Sequence, residues 1–297
     1  MIHVPEELAA AQAKYNGEAG RAFVAGLPGR AEEFLGHWGL RITGPSMHGV
    51  ASLVLPVERI TDGVPAALKM QILDEETEGE PVALRIWGGA GAVRLLDHDS
   101  ATGTMLLERL EEARPLSSLA DTRAALGIVA GLLARLTAVP APEGLRTLGA
   151  LAGAMLDEVP AASARLGPQD AAVLRDCAAA VRDVLAEPGD RLLHWDLHLG
   201  NVLAGGREPW LAIDPKPLAG DPGFDLLPAL TDRFDPDPGE ILWRFDLLAE
   251  VVGDRHRAVT WTLGRVLQNG LWDVEDGEPG LNPEQVAIAR VLRERRG

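Results

Sequence analysis

HWDLHLGNVLAGGREPWLAID, residues 194–214, is the most informative stretch of this 297-residue chain. His194, Asp196 and Asn201 share one loop-like segment, and Asp214 follows a short apolar run that is typical of a strand. An aspartate and an asparagine five residues apart on one loop can direct both side chains at one point. Carboxylate and amide oxygens are the ligands that Mg²⁺ prefers in proteins. The stretch therefore predicts a base, Asp196, beside a magnesium site formed by Asn201 and Asp214.

The spacing His-x-Asp-x₄-Asn is that of the catalytic loop of kinases. Phosphoryl transfer needs a base near the attacking hydroxyl and metal ligands that hold the nucleotide phosphates, with little covalent help from the protein. The spacing therefore predicts a magnesium-dependent transfer of a phosphoryl group from ATP, with GTP not excluded as the donor.

The patterns outside this stretch change character along the chain. Two helices are expected at 6–15 and 19–38. Strand-like alternation, punctuated by Gly and Asp, then runs from residue 40 to residue 110. It is interrupted by a helix that is expected to start in the acidic run 74–80 and to continue through residues 81–87. After residue 111 the spacing of Leu, Ala and Val is mostly helical. We expect an α+β, protein-kinase-like bilobal fold. Residues 1–110 would form a small antiparallel, β-rich nucleotide-binding lobe with the N-terminal helices, and residues 111–297 a larger, mainly helical catalytic and acceptor-binding lobe.

Two parts of the chain resemble a known family. The block from His194 to Leu227, which continues as PKPLAGDPGFDLL, resembles the catalytic block of aminoglycoside phosphotransferases, and in particular of the streptomycin 6-phosphotransferase and hydroxyurea-resistance kinase branch. ALRIWGGAGAVRLL (83–96), followed by LLERL (106–110), is similar to the same branch. The resemblance extends from about Leu40 to Leu271. It implies ATP as phosphate donor and an antibiotic-like hydroxyl as acceptor.

The resemblance also implies roles for individual residues. Asp196 matches the catalytic base, His194 the histidine that orders the catalytic loop, and Asp225 an acid that braces this loop. Lys69 matches the strand lysine that contacts the α- and β-phosphates, and its partner acid would be Glu80, with Glu76 as the alternative. The remaining matches are the two magnesium ligands Asn201 and Asp214, the turn over the phosphates at Gly44–Gly49, and the purine-contacting segment Glu108–Leu110.

Lysine is scarce in this chain, which makes each lysine informative. Of the 28 basic residues only Lys14, Lys69 and Lys216 are lysines, and all the others are arginines. A retained lysine suggests chemistry that needs a compact ammonium group. This supports a functional role for Lys69, whereas a phosphate contact and a surface position are equally compatible with Lys216.

Composition limits the partners. A net charge of −16 repels a nucleic acid backbone and attracts a cationic acceptor. The N-terminus lacks the pattern of a signal peptide, and no apolar run is long enough for a membrane helix. The single cysteine suits a reducing compartment, so we expect a cytoplasmic protein. A monomer or a homodimer is expected. Residues considered for acceptor binding are Trp195, His198, Trp272, Asp273 and Glu275.

Other functions remain open from the sequence. The same fold could serve a metabolite kinase acting on an amino sugar, a sugar or an amino alcohol, or a pseudokinase that binds nucleotide without turnover. A protein substrate is not expected, because only about seven residues separate Asp214 from the next helical segment and no Ala-Pro-Glu anchor follows.

Overall fold

The computed structural model describes residues 2–49 and 51–294 and divides into two compact units. The first unit runs to Glu111 and includes Gly205–Arg207. The second unit comprises Glu112–Ala204 and the chain from Glu208 onward.

An antiparallel sheet forms the centre of the first unit. Its strand order is β1–β3–β4–β6–β5, and β2 pairs with β3. The strands are β1 (Leu40–Ile42), β2 (Met47–His48), β3 (Ser52–Arg59), β4 (Pro65–Gln71), β5 (Leu95–Asp99) and β6 (Thr104–Glu108). The alternation of the sequence therefore predicts these strands well, except that Met47 and His48 form a strand inside the segment expected to be a turn.

Helix α1 (Glu6–His37) covers one face of this sheet. It is interrupted at Gly17, which has φ +53° and ψ −123°, so that the two helices expected from the sequence appear as two arms of one element. Leu27 and Phe34 of the second arm are buried with Leu53 and Leu68 of the sheet. The cluster is the hydrophobic core of the first unit.

Helix α2 (Glu80–Trp87) begins later than the acidic run 74–80 suggests. The Asp74 carboxylate accepts hydrogen bonds from the backbone N–H groups of Glu76 and Thr77, each at 2.9 Å. This local bonding competes with the helix for the same backbone groups. The helix therefore starts at Glu80, whose negative charge is favourable in a first turn.

The second unit is mainly helical. Among its described residues, no helix is long and apolar enough to cross a membrane, and the same holds for the described residues of the first unit. Its helices are α3 (Thr122–Leu136), α4 (Leu148–Arg165), α5 (Pro168–Val184), α6 (Leu227–Thr231), α7 (Pro238–Ala249), α8 (Arg255–Glu275) and α9 (Pro283–Arg293).

Short strands of the second unit surround the stretch 194–214. Strand β8 (Arg191–Leu193) pairs antiparallel with β11 (Leu218–Gly220). Strand β9 (Val202–Ala204) pairs antiparallel with β10 (Trp210–Ala212), and β7 (Glu111–Pro115) completes the β9–β10 sheet. Strands β7 and β11 were not expected from the sequence, since three of the five residues of β7 are charged and the strand is mostly exposed, and β11 has only three residues.

Arg207 makes a dense set of contacts inside the first unit. Its guanidinium donates to both oxygens of the Glu108 carboxylate at 2.7–3.1 Å, to the Ala92 carbonyl at 2.6 Å and to the Gly89 carbonyl. Arg207 and Glu108 are both largely buried. One planar donor thus joins the end of β6 to the loop after α2.

We predict that Arg207→Met lowers the free energy of unfolding by roughly 1–3 kcal/mol, because it leaves a largely buried carboxylate and two carbonyls without their charged donor. The matched control is Arg41→Met. Arg41 pairs with Glu58 in the same unit, but its side chain is 71% exposed, so the expected loss is ~1 kcal/mol or less. Urea unfolding measures both, and equal losses would contradict this account.

Candidate active site

Two loops of the second unit meet because their flanking strands are paired. One loop, 194–201, connects β8 to β9, and the other, 213–217, connects β10 to β11. Backbone bonds join the loops directly: the Ile213 N–H donates to the Asn201 carbonyl at 2.9 Å, and the Lys216 N–H donates to the His194 carbonyl at 3.0 Å. This pairing gathers His194, Asp196, Asn201 and Asp214 into one cluster.

His194 is buried between the two loops. Its Nε2 lies 3.1 Å from the Ile213 carbonyl, and its Nδ1 accepts a hydrogen bond from the Asp196 N–H at 3.4 Å. Burial lowers the pKa of His194 to about 4, although the carboxylates of Asp196 and Asp214 favour its protonation. The neutral ring therefore donates at one nitrogen and accepts at the other, which fixes the distance between the loops.

Asp196, Asn201 and Asp214 supply oxygens of the kind a magnesium ion binds. The Asn201 amide nitrogen donates to the Asp196 carbonyl at 2.9 Å and to its carboxylate at 3.3 Å, which leaves the amide oxygen as the atom of Asn201 that suits a cation. No group of three or more His, Cys, Asp or Glu able to hold a metal occurs among the described residues. A site with one carboxylate and one amide fits Mg²⁺, which usually binds a few protein oxygens together with waters and nucleotide phosphates.

Asp225 holds the start of the loop 194–201. Its two carboxylate oxygens accept the backbone N–H groups of His194 and Trp195, each at 2.8 Å. Complete burial raises the pKa of Asp225 to about 7, although these two bonds and the charge of Arg265 act in the opposite direction. The side chain therefore fixes the first two residues of the loop.

Trp195 does not face solvent. It is 1% exposed, and its indole N–H donates to Gln268 at 3.2 Å. The guanidinium groups of Arg146 and Arg265 lie 4.6 and 5.1 Å from its ring. The buried Trp195 therefore offers almost no exposed surface to an acceptor, and its ring lies against Arg146, Arg265 and Gln268 instead.

Lys69 forms a buried ion pair in the first unit. Its Nζ lies 2.7 Å from both carboxylate oxygens of Glu80, and Gln71 donates to the same carboxylate at 2.7 Å. The side chains of Lys69 and Glu80 are 5% and 1% exposed. Of the two acids considered from the sequence, Glu80, at the start of α2, is therefore seen to pair with Lys69.

The other residues expected at the nucleotide lie along the sheet of the first unit. The Gly49 N–H donates to the Ser52 carbonyl at 3.0 Å at the end of β2. Glu108 ends β6, where its N–H donates to the Arg94 carbonyl and its carboxylate holds Arg207. Leu110 is buried.

A cavity of about 300 Å³ lies beside Asp196 in the second unit. His198 is the residue considered for acceptor binding that lines it, whereas Trp195, Trp272, Asp273 and Glu275 do not. The last three lie at the end of α8, where the Asp273 carboxylate accepts the Asn282 N–H at 2.9 Å. The lining residues are Asp196, His198, Leu227, Pro228, Thr231, Asp232, Arg265 and Asn269.

Asp232 and Asn269 are two of the four polar lining residues that were not predicted from the sequence, and the other two are Thr231 and Arg265. Burial raises the pKa of Asp232. The hydrogen bond that the Asp232 carboxylate accepts from the Leu199 N–H, at 2.6 Å, acts in the opposite direction. Asn269 lies on α8, and its Oδ1 is buried and accepts no hydrogen bond from the described residues. Neither belongs to a recognisable motif, so only the fold brings them to Asp196.

Comparison with known sequences identifies close relatives. A family model described as aminoglycoside/hydroxyurea antibiotic resistance kinase matches residues 37–277. A hydroxyurea phosphotransferase of Kitasatospora aureofaciens is 62% identical over the whole of this chain and 88% of its own length. A streptomycin 6-kinase of Streptomyces glaucescens is 56% identical over 99% of this chain and 98% of its own length.

Comparison with solved structures concerns the fold. Aminoglycoside phosphotransferase APH(4)-Ia, in a ternary complex with ADP and hygromycin B, matches with a TM-score of 0.62 at 16% identity, over 90% of this chain and 98% of that chain. The match confirms the α+β fold class predicted from the sequence.

The opposite pKa shifts of His194 and Asp225 predict a pH effect on stability. His194 titrates near 4 when folded and near 6.5 when unfolded, so the unfolded chain binds more protons in this range and stability rises with pH. Asp225 titrates near 7 when folded and near 3.8 when unfolded, so the folded chain binds more protons and stability falls as pH rises. The two slopes oppose each other in the wild type.

Asp225→Asn removes the falling slope and retains the rising one. We therefore expect the stability advantage of the wild type over Asp225→Asn to shrink between pH 4 and pH 7, by up to about 1.4 kcal/mol per pH unit. Urea unfolding of both proteins across this range measures the difference. A difference that stays constant with pH would show that Asp225 does not retain its proton in the folded chain.

Proposed function

Since the chain belongs to the aminoglycoside/hydroxyurea antibiotic resistance kinase family, we propose that it transfers the γ-phosphate of ATP to a hydroxyl group of a small antibiotic-type acceptor, with Asp196 as the base. The acceptor oxygen attacks the γ-phosphorus and forms the new P–O bond. The bond from this phosphorus to the β,γ-bridging oxygen breaks, and its electron pair leaves with ADP. The acceptor proton passes to the Asp196 carboxylate.

The pairing of the loops 194–201 and 213–217 is the observation on which the proposal depends. It holds a candidate base and two candidate metal ligands in one half-buried cluster, as phosphoryl transfer requires. Asn201 and Asp214 would hold Mg²⁺, which when bound offsets the negative charge of the phosphates. Because His194 is neutral and buried, it orients the loop and leaves proton transfer to Asp196.

The first unit would hold the nucleotide. The Lys69 ammonium is already oriented by the Glu80 carboxylate, which Gln71 holds in turn, so little side-chain entropy is lost when Lys69 binds the α- and β-phosphates. Backbone groups of Glu108–Leu110 would bind the purine, and Gly49 would lie over the phosphates. ATP is the proposed donor, and GTP stays an alternative.

The cavity beside Asp196 would hold the hydroxyl-bearing ring of an aminoglycoside-type acceptor. Its volume of about 300 Å³ is at the small end of the range for ligand sites, so the rest of a large acceptor would remain outside it. Asp232 supplies a negative charge for a cationic substituent, and the buried Asn269 Oδ1 supplies an acceptor for an N–H or O–H donor. The net charge of −16 favours the approach of a cation.

An acceptor panel tests the proposal. ADP release is measured with ATP and Mg²⁺ for streptomycin, hydroxyurea, choline and a neutral sugar, against a blank without acceptor. We expect turnover with streptomycin or hydroxyurea well above the blank. Turnover confined to choline or the sugar would indicate a metabolite kinase, and nucleotide binding without turnover on any acceptor would indicate a pseudokinase.

Two substitutions separate the base from the metal ligand. We predict that Asp196→Ala lowers kcat by about 10²–10⁴-fold and leaves ATP binding in the presence of Mg²⁺ largely intact, because it removes only the proton acceptor. Asp214→Ala should instead abolish the Mg²⁺-dependent part of ATP binding. Steady-state kinetics and calorimetric titration of ATP with and without Mg²⁺ measure these effects. Equal, small effects of both substitutions would contradict the assigned roles.

A third substitution tests the acceptor cavity. We predict that Asp232→Asn raises the KM for streptomycin about tenfold, because it removes one charge-assisted hydrogen bond to the acceptor. The KM values for ATP and for the uncharged hydroxyurea should change little. Glu275→Gln, which removes an exposed carboxylate outside the cavity, is the matched control and should change none of the three. Equal effects of Asp232→Asn on all three substrates would argue for a structural role of Asp232.

A further inference from the structure

Lys216 lies next to the proposed base. Its Nζ is 3.5 Å from the Asp196 Oδ2 atom, and its side chain is 35% exposed. The sequence left a phosphate contact and a surface position equally open for Lys216, and the structure brings its charge to the carboxylate that would receive the acceptor proton.

The backbone of Lys216 is held rigidly. Pro215 and Pro217 flank it, and a proline fixes its own φ and restricts the residue before it. The Lys216 N–H also donates to the His194 carbonyl at 3.0 Å. The loop therefore holds the base of this side chain in a set position beside Asp196, which an incidental surface lysine would not need.

The choice of lysine is itself informative in a chain that uses arginine for nearly every cation. Lys14 lies on the exposed surface of α1, where its ammonium contacts the Tyr15 ring. The other two lysines each contact a carboxylate of the proposed machinery, Lys69 that of Glu80 and Lys216 that of Asp196. A compact ammonium with three donors suits contact with phosphate oxygens whose positions change during a reaction.

An ammonium beside a base is unfavourable for proton transfer alone, because it competes with the incoming hydroxyl for the carboxylate. It is favourable where negative charge must be stabilised. A base lies about 2.6–3.2 Å from the hydroxyl it deprotonates, and that hydroxyl attacks the phosphorus directly, so a group in contact with Asp196 is near the transferred phosphoryl group. Charge spreads over the equatorial oxygens of this group in the transition state.

We propose that Lys216 is a further catalytic residue, which binds the equatorial oxygens of the phosphoryl group as it passes from the nucleotide to the acceptor. The proposal rests on the proposed function. The bonds made and broken are those of the transfer itself: the acceptor oxygen gains the phosphorus, ADP leaves with the bridging oxygen, and Asp196 takes the proton. Lys216 keeps its protons throughout and contributes charge at the point of transfer.

Kinetics of three variants test the proposal, using the acceptor that gives turnover with the wild-type enzyme and saturating Mg²⁺. Lys216→Met removes the charge but keeps much of the apolar stem, and it should lower kcat by about 10²–10³-fold, as removal of one preorganised charge-stabilising donor does. The KM values for ATP and acceptor should stay within about threefold, because the contact is made in the transition state. Lys216→Arg keeps the charge, so its kcat should be at least tenfold higher than that of Lys216→Met.

Lys14→Met is the matched control, since it removes the other exposed lysine and should leave kcat unchanged. Thermal unfolding of each variant verifies that it is folded. Wild-type turnover together with a Lys216→Met kcat within about threefold of the wild type would overturn the proposal, and so would equal losses in Lys216→Met and Lys216→Arg, or a loss confined to the KM for ATP. Absence of wild-type turnover on every acceptor would instead overturn the proposed function.

Discussion

A neutral, fully buried His194 holds the active site together. Its two ring nitrogens bond to the backbone of different loops, one donating to the Ile213 carbonyl and one accepting from the Asp196 N–H, while its own carbonyl accepts from Lys216. A protonated ring would donate at both nitrogens and lose the bond from Asp196. Because burial keeps the pKa near 4, the ring keeps both bonds at neutral pH. Every proposed role of Asp196, Asn201 and Asp214 depends on this spacing of the two loops.

The loops also contain backbone conformations that few residues adopt. Trp195 has φ +67° and Asp214 has φ +57°, both in the left-handed region. Such residues cost on the order of 1–3 kcal/mol and persist where their surroundings hold them. Trp195 is held by the bonds of its N–H to Asp225 and of its indole to Gln268, and by two flanking arginines. The two strained residues therefore lie within the two loops themselves. Trp195 directly precedes Asp196, and Asp214 is itself a candidate metal ligand.

The sequence predicts the parts of this molecule that depend on local spacing. The fold class follows from strand alternation before residue 110 and helical spacing after it, and the candidate base and metal ligands follow from the spacing of 194–214. The start of α2 was misplaced because Asp74 bonds to its own turn, and Trp195 was considered for acceptor binding although the fold buries it. Asp232 and Asn269 reach the cavity from a segment after α6 and from α8. Such contacts depend on the packing of elements that are distant in the sequence, so no short sequence motif predicts them.

The proposed catalytic cluster and the proposed acceptor cavity share the loop 194–201, which contributes Asp196 to both and His198 to the cavity, but their other residues come from different elements. The cluster is held by backbone bonds between two short loops and by the side chains of His194 and Asp225, so substitution of either side chain would change the spacing that the proposed reaction needs. The cavity is lined by side chains of α6, the residues after it and α8, where Arg265 and Asn269 are one helical turn apart. Asp232 and Arg265 bring opposite charges to its wall, so a neutral replacement of either one would change the net charge of the lining by one unit while leaving the bonds of His194 untouched. If the proposed function holds, we therefore expect substitutions of a few side chains of the wall to change the preferred acceptor without changing the chemistry of transfer.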